Sequence, residues 1–368
     1  MQTTQTSKPH YPILDGLRGV AALLVVIFHF MEAHFPVYAQ LPVHHGYLAV
    51  DFFFLLSGFV VGYAYDDRWG KMSVWAFFRT RLIRLHPMVI FAILLGAVCF
   101  WFDPFLVKPA GFHLLKLIGF TLLALTLLPS PDVRGWGETH SLNGPCWSLL
   151  QEYIANIAYA LFGRKLNRIA LWILVVLSGA VLTAIAVKRG DVAAGWGFSS
   201  FGIGVARMAF PFFAGLLLFR SGHRLKVPAP FVLCSLALVV LFILPTTRFN
   251  GLYESACIIL AFPLIVAAGA SADVKGSMAK VCQFFGDISY PLYITHYPLI
   301  YLYTGWIYRH HPKPHQIALV ATILGIVMIA LAYGAMKLYD APVRAWLKRR
   351  LEPRSSGERV GSPTITTP

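Results

Sequence analysis

Apolar runs long enough to cross a bilayer recur along the whole chain, separated by short polar joints rich in Lys and Arg. The pattern predicts spans at about residues 14–30, 47–65, 88–102, 149–162, 169–187, 204–219, 228–244, 252–270, 288–308 and 317–338. A further apolar stretch, 112–128, carries His113 and Lys116 near its start. If it crossed, every later basic joint would change sides. Counting it as re-entrant or interfacial keeps the joints around 68–84, 164–168, 220–226 and 275–280 on one side with the basic tail. The expected fold is therefore all-α: a polytopic transmembrane helical bundle of about ten crossings plus one re-entrant or interfacial segment. Both termini are expected in the cytoplasm, with the protein in the cytoplasmic (inner) membrane.

Hydrophobic residues make up 57% of the 368 and charged residues 13%. A water-soluble domain cannot bury that much apolar surface. The net charge of +15 therefore reflects basic joints beside anionic lipid, not nucleic-acid binding. The chain is expected to form one membrane domain over residues 1–351, followed by a disordered cytoplasmic tail, 352–368, rich in Ser, Thr, Pro and Gly. The five cysteines show no paired or metal-type spacing. The His44–His45 and His310–His311–His315 clusters lack acidic or cysteine partners, so no metal is expected. Gly58 and Gly62 form a small-xxx-small pair for close helix approach. Asp51 reads as an interfacial cap.

Four places set polar residues among apolar ones. In the first span Arg18 and His29 are eleven residues apart, about three helical turns, so they share a face with His29 about 16 Å deeper. An ionisable ring at that depth either is held by neighbouring helices or works chemically. Arg81 and Arg84, at the inner mouth of the third span, are helix-surface neighbours whose guanidinium forks suit phosphate, or else mark the cytoplasmic side. Asn143, Trp147, Ser148 and Glu152 run from an outer loop into a span; Glu152 either pairs with Arg18 or Arg207 to fix packing, or lines a polar cavity. His296 follows Pro291, which is expected to kink its helix and free a carbonyl for the ring to bond.

These segments together resemble one family. LDGLRGVAALLVVIFHF, VDFFFLLSGFV, RTRLIRLHP, NGPCWSLLQE and ISYPLYITH are similar, in order, to the motifs of the acyltransferase-3 family of integral membrane acyltransferases. The resemblance runs from Leu14 to about Arg344; Asp340 stands where the family more often has Glu. It implies transfer of an acyl group, most often acetyl, from acyl-CoA to a hydroxyl of a glycan, glycolipid or glycoside. It also implies central roles for Arg18 and His29, donor contact by Arg81 and Arg84, and a site lined by Glu152. Asp15, Ser57, Asn143, Trp147, Ser148 and His296 are the further residues expected to line the site. No bound cofactor is expected, since acyl-CoA is a substrate. On this reading His29 is either the general base or the acyl carrier, and Arg18 either keeps the ring neutral by its like charge or steadies the oxyanion. Two other classes fit the residues alone: a secondary transporter relaying protons through His29 and Glu152, and a non-catalytic scaffold.

Overall fold

The computed structural model describes residues 10–35 and 40–351; the tail expected to be disordered lies outside them. Among the described residues every regular element is helical, apart from one isolated antiparallel bridge between Glu138 and Gly197. The helices are α1 (Pro12–Glu32), α2 (Ala49–Tyr65), α3 (Val74–Phe102), α4 (Leu114–Ala124), α5 (Cys146–Leu161), α6 (Arg168–Arg189) and α7 (Phe201–Ser221). They continue with α8 (Pro230–Ile243), α9 (Asn250–Ala256), α10 (Phe262–Gly269), α11 (Gly276–Thr295), α12 (Tyr297–His310), α13 (Pro314–Ala335) and α14 (Ala341–Leu351). Five-residue π-helical turns join α9 to α10 and α13 to α14. Seven helical segments are long and apolar enough to cross a membrane, and all ten segments predicted from the sequence coincide with helices. The chain is an all-α polytopic membrane protein.

Segment 112–128 contains only the eleven-residue α4. At 1.5 Å per residue α4 reaches about 16 Å, half of a hydrocarbon core about 30 Å thick. The third span differs from expectation: α3 begins at Val74, not Met88. Ser73 caps it by accepting from the Ala76 amide at 3.1 Å, and Pro87 sits inside it without ending it. Arg79, Arg81 and Arg84 are thus fixed on a helix and not carried by a loop. The expected span 288–308 is two helices. α11 starts at Gly276, and the break comes at His296–Pro298, not at Pro291. Pro298 has no N–H for the Ile294 carbonyl, and Asn143 Nδ2 donates to that oxygen instead at 2.7 Å.

Two tight helix pairs organise the bundle, α1 with α11 and α2 with α7. A Cβ at Gly58 would overlap the Phe212 carbonyl, and one at Gly19 the Phe285 backbone. Only glycine admits these approaches. Asp51 is not the interfacial cap expected of it. It is fully buried, held by Arg207 Nε at 3.1 Å and Nη2 at 2.5 Å. A charge taken out of water needs such a partner, and Arg207 satisfies its other donors on the Ala194 and Tyr47 carbonyls.

Candidate functional site

Two cavities lie on either side of a thin partition, with Val50 and Tyr293 in the walls of both. The inner one, ≈ 270 Å³, is built from α1, α2, α3, α5, α11 and the α13–α14 junction. The outer one, ≈ 520 Å³, is built from the end of α1, the start of α2, α5, α7 and α12, with the loops carrying Trp136, Glu138 and Trp196. At the partition the Tyr293 hydroxyl and Ser148 Oγ are 2.6 Å apart.

Four arginines line the inner cavity: Arg18, Arg81, Arg84 and Arg344. They are not equivalent. Arg81 is buried and bonds Glu152 Oε1 at 2.6 Å, and Ser57 Oγ donates to the same oxygen at 2.9 Å. Glu152 therefore pairs with Arg81, and neither with Arg18 nor with Arg207. Arg18 donates to Ser289 Oγ at 2.8 Å and to the Gly286 carbonyl at 3.2 Å, and pairs with Asp15 at 3.0 Å. Arg84, one turn beyond Arg81, is exposed to the cavity and makes no hydrogen bond or ion pair with any described residue. The expected pair of phosphate forks thus divides: Arg81 is committed to the protein and Arg84 is open. Asp15 also takes His10 at 2.9 Å and lines a third cavity, ≈ 340 Å³, which shares Arg18, Gly286 and Asp287 with the inner one.

His29 lines the outer cavity. Its Nδ1 is 2.7 Å from Glu32 Oε2, and its ring stacks on His296 (centroids 5.4 Å apart) with Tyr297 edge-on at 4.7 Å. A carboxylate can only accept, so Nδ1 carries the proton and Nε2 is left as the basic nitrogen. His296 is fully buried. Its Nδ1–H points at the Tyr293 carbonyl (2.8 Å) and the Leu292 carbonyl (3.1 Å), which makes it the helix-bonded histidine that the sequence allowed. Trp147 faces the outer cavity with the Arg207 guanidinium 5.4 Å from its ring centre. Asn143 lines neither cavity; it clamps the α11–α12 break.

The structure does not bring Arg18 and His29 to one centre. Three turns of α1 separate them, and each opens into a different cavity. Residues not foreseen from the sequence complete the outer site. Glu32 was legible as a carboxylate three residues after His29. Glu138, Trp136, Trp196 and Tyr297 come from distant loops and helices and gave no local signal. Glu138 accepts from Tyr301 Oη at 2.5 Å. Burial pushes its carboxyl up to about 7, against the opposing Tyr301 hydrogen bond and the Arg134 charge.

A family model described as an acyltransferase domain, of the acyltransferase-3 type, matches residues 11–336. Protein 2 in the picA locus of Rhizobium radiobacter is 32% identical over 194 residues, covering 50% of this chain and 99% of the relative. Acyltransferase MdmB of Streptomyces mycarofaciens is 27% identical over 316 residues, covering 78% of this chain and 79% of the relative. No solved structure matches. With the motifs in order and the family model spanning nearly the whole bundle, the chain belongs to the acyltransferase-3 family and is a membrane-embedded acyltransferase.

Proposed function

We propose that the protein moves an acyl group, acetyl in the first instance, from cytoplasmic acyl-CoA to a hydroxyl of an extracytoplasmic glycan, glycolipid or glycoside. It does so as a single membrane domain in the cytoplasmic membrane with both termini inside. The observation that carries this reading is Arg84: an unpaired guanidinium in the inner cavity, one thin partition away from His29. An unpaired cation in a pocket already stocked with three paired ones calls for a polyanionic ligand. Coenzyme A is such a ligand, and its long pantetheine arm would reach toward His29 by way of the partition, where Val50 and Tyr293 line both cavities.

In this mechanism His29 Nε2 takes the proton of the acceptor hydroxyl. The alkoxide oxygen forms a bond to the thioester carbon, and the tetrahedral intermediate collapses with cleavage of the C–S bond. The proton on Nε2 then passes to the leaving thiolate. Glu32 balances the imidazolium that forms in between. Arg18, outside this cavity, serves the inner side and not the oxyanion. The Trp136, Trp147 and Trp196 faces offer broad apolar platforms for a sugar ring, with polar tips to orient it. The test is mass spectrometry of surface glycans and secreted glycosides from cells carrying the wild type or His29→Ala. Acyl groups present only with the wild type support the assignment; identical profiles sink it.

A further inference from the structure

The fourth arginine of the inner cavity has a setting of its own. Arg344 lies in the first turn of α14, and its Nη2 is 2.9 Å from Asp340 Oδ2, the last residue of the preceding π-helical turn. Both residues line the inner cavity. Asp340 is 2% exposed, and its other oxygen, Oδ1, is buried without a hydrogen-bond partner. Leaving a carboxylate oxygen desolvated and unbonded is costly. Arg344 uses one guanidinium nitrogen on Asp340, and about a third of its side chain remains exposed. Helix α14 packs on α3, which carries Arg84. π-helical turns often mark functional sites, and this one places an open acceptor and a partly open cation side by side.

We propose that Asp340 and Arg344 form a second recognition station of the donor site, which binds the 3′-phosphate and the neighbouring 2′-hydroxyl of the coenzyme A ribose. This rests on the acyl-CoA reading above. The station asks for an anion directly beside a hydrogen-bond donor: the phosphate meets Arg344, and the hydroxyl donates to Asp340 Oδ1. Of the phosphates of coenzyme A, the 3′-phosphate is the one with a hydroxyl on the adjacent carbon. Position agrees. From Pro314 the continuous α13–α14 helix carries Arg344 about 45 Å along its axis, past a hydrocarbon core of about 30 Å. On the proposed topology that is the inner mouth, where the nucleotide end remains when the thioester reaches His29. The Asp340 charge does not repel the phosphate outright, because Arg344 neutralises it and Arg84 adds an unpaired positive charge.

The experiment measures binding of acetyl-CoA, acetyl-3′-dephospho-CoA and 2′-deoxyacetyl-CoA to the purified full chain in detergent. Wild type is expected to bind acetyl-CoA about tenfold or more tighter than the 3′-dephospho form. Arg344→Ala removes that preference while leaving affinity for the 3′-dephospho form within about twofold of wild type. Asp340→Ala removes the several-fold penalty of the 2′-deoxy donor. Arg84→Ala weakens all three ligands by the same factor. Equal wild-type affinity for acetyl-CoA and its 3′-dephospho form overturns the proposal without recourse to any variant. So does an Arg344→Ala protein that keeps the preference. If wild type binds none of the three, the acyl-CoA reading itself falls, an outcome distinct from binding without discrimination.

Discussion

His29 Nδ1 lies 2.7 Å from Glu32 Oε2, three residues further along the last turn of α1. The two side chains are neighbours on one helix face, so the contact is set by the helix itself and needs no distant partner. It fixes the imidazole tautomer and turns Nε2 toward the work. Glu32→Gln keeps an acceptor for Nδ1–H but removes the charge that balances the imidazolium. Its kcat is expected to fall by about 10²-fold or more, with the KM for acyl-CoA unchanged and the melting temperature close to wild type. A rise in KM with normal kcat would assign Glu32 to binding instead.

His29 itself separates chemistry from packing. His29→Gln cannot take up a proton and His29→Ala cannot do so either. Both are expected to lose donor turnover by roughly 10²–10⁴-fold while still binding acyl-CoA. The measurement is turnover by detergent-purified protein, normalised to the monodisperse fraction. Near-normal turnover by the Gln variant would remove His29 from the mechanism.

Arg84 and Arg81 are expected to fail in different ways. Arg84→Ala removes an open cation and weakens acetyl-CoA binding by about 10–100-fold with little change in stability. Arg81→Ala strands Glu152, and destabilisation by about 3 kcal/mol is expected, partly restored by adding Glu152→Gln. Thermal melting and ligand titration of the three variants distinguish the roles. Equal stability of Arg84→Ala and Arg81→Ala would contradict the division seen in the cavity.

Glu138 gives a pH signature. Its carboxyl is raised from an ordinary 4.5 to about 7, so the folded protein binds a proton that the unfolded chain has released. Relative to Glu138→Gln, wild type is therefore expected to lose stability as pH rises from about 4.5 to about 7, and to change little beyond. The loss is at most about 3 kcal/mol. Melting curves of the two proteins between pH 5 and pH 8 test this; parallel curves would show Glu138 ionised throughout.

The ten-crossing topology is checked by thiol probes on exposed loop positions. Gly135→Cys is expected to label from outside and Lys165→Cys only from the cytoplasm. The reversed pattern, Gly135→Cys labelled only from the cytoplasm and Lys165→Cys from outside, would mean that residues 112–128 cross the membrane after all.

The sequence by itself determined the class and the helices, because the bilayer forces apolar runs of a set length and basic joints on one side. It placed the Gly58 approach and the alignment of Arg18 with His29 on α1, since each depends on local spacing alone. Motif order also brought the acyltransferase family into view. Only the tertiary structure decided which charges are spent on the fold. Arg81, Arg84 and Arg344 look alike in one dimension, but the Glu152 carboxylate, two helices further along the chain, commits the first and leaves the second open. Asp51 met Arg207, and Asn143 met the carbonyl freed by Pro298, across more than 150 residues. Such pairings depend on which helix faces meet, and hydropathy constrains depth far more than it constrains facing. The same reason explains why Arg18 and His29, aligned on one helix face, serve two cavities: the partition between them is made by α2 and α11, which the first span does not encode.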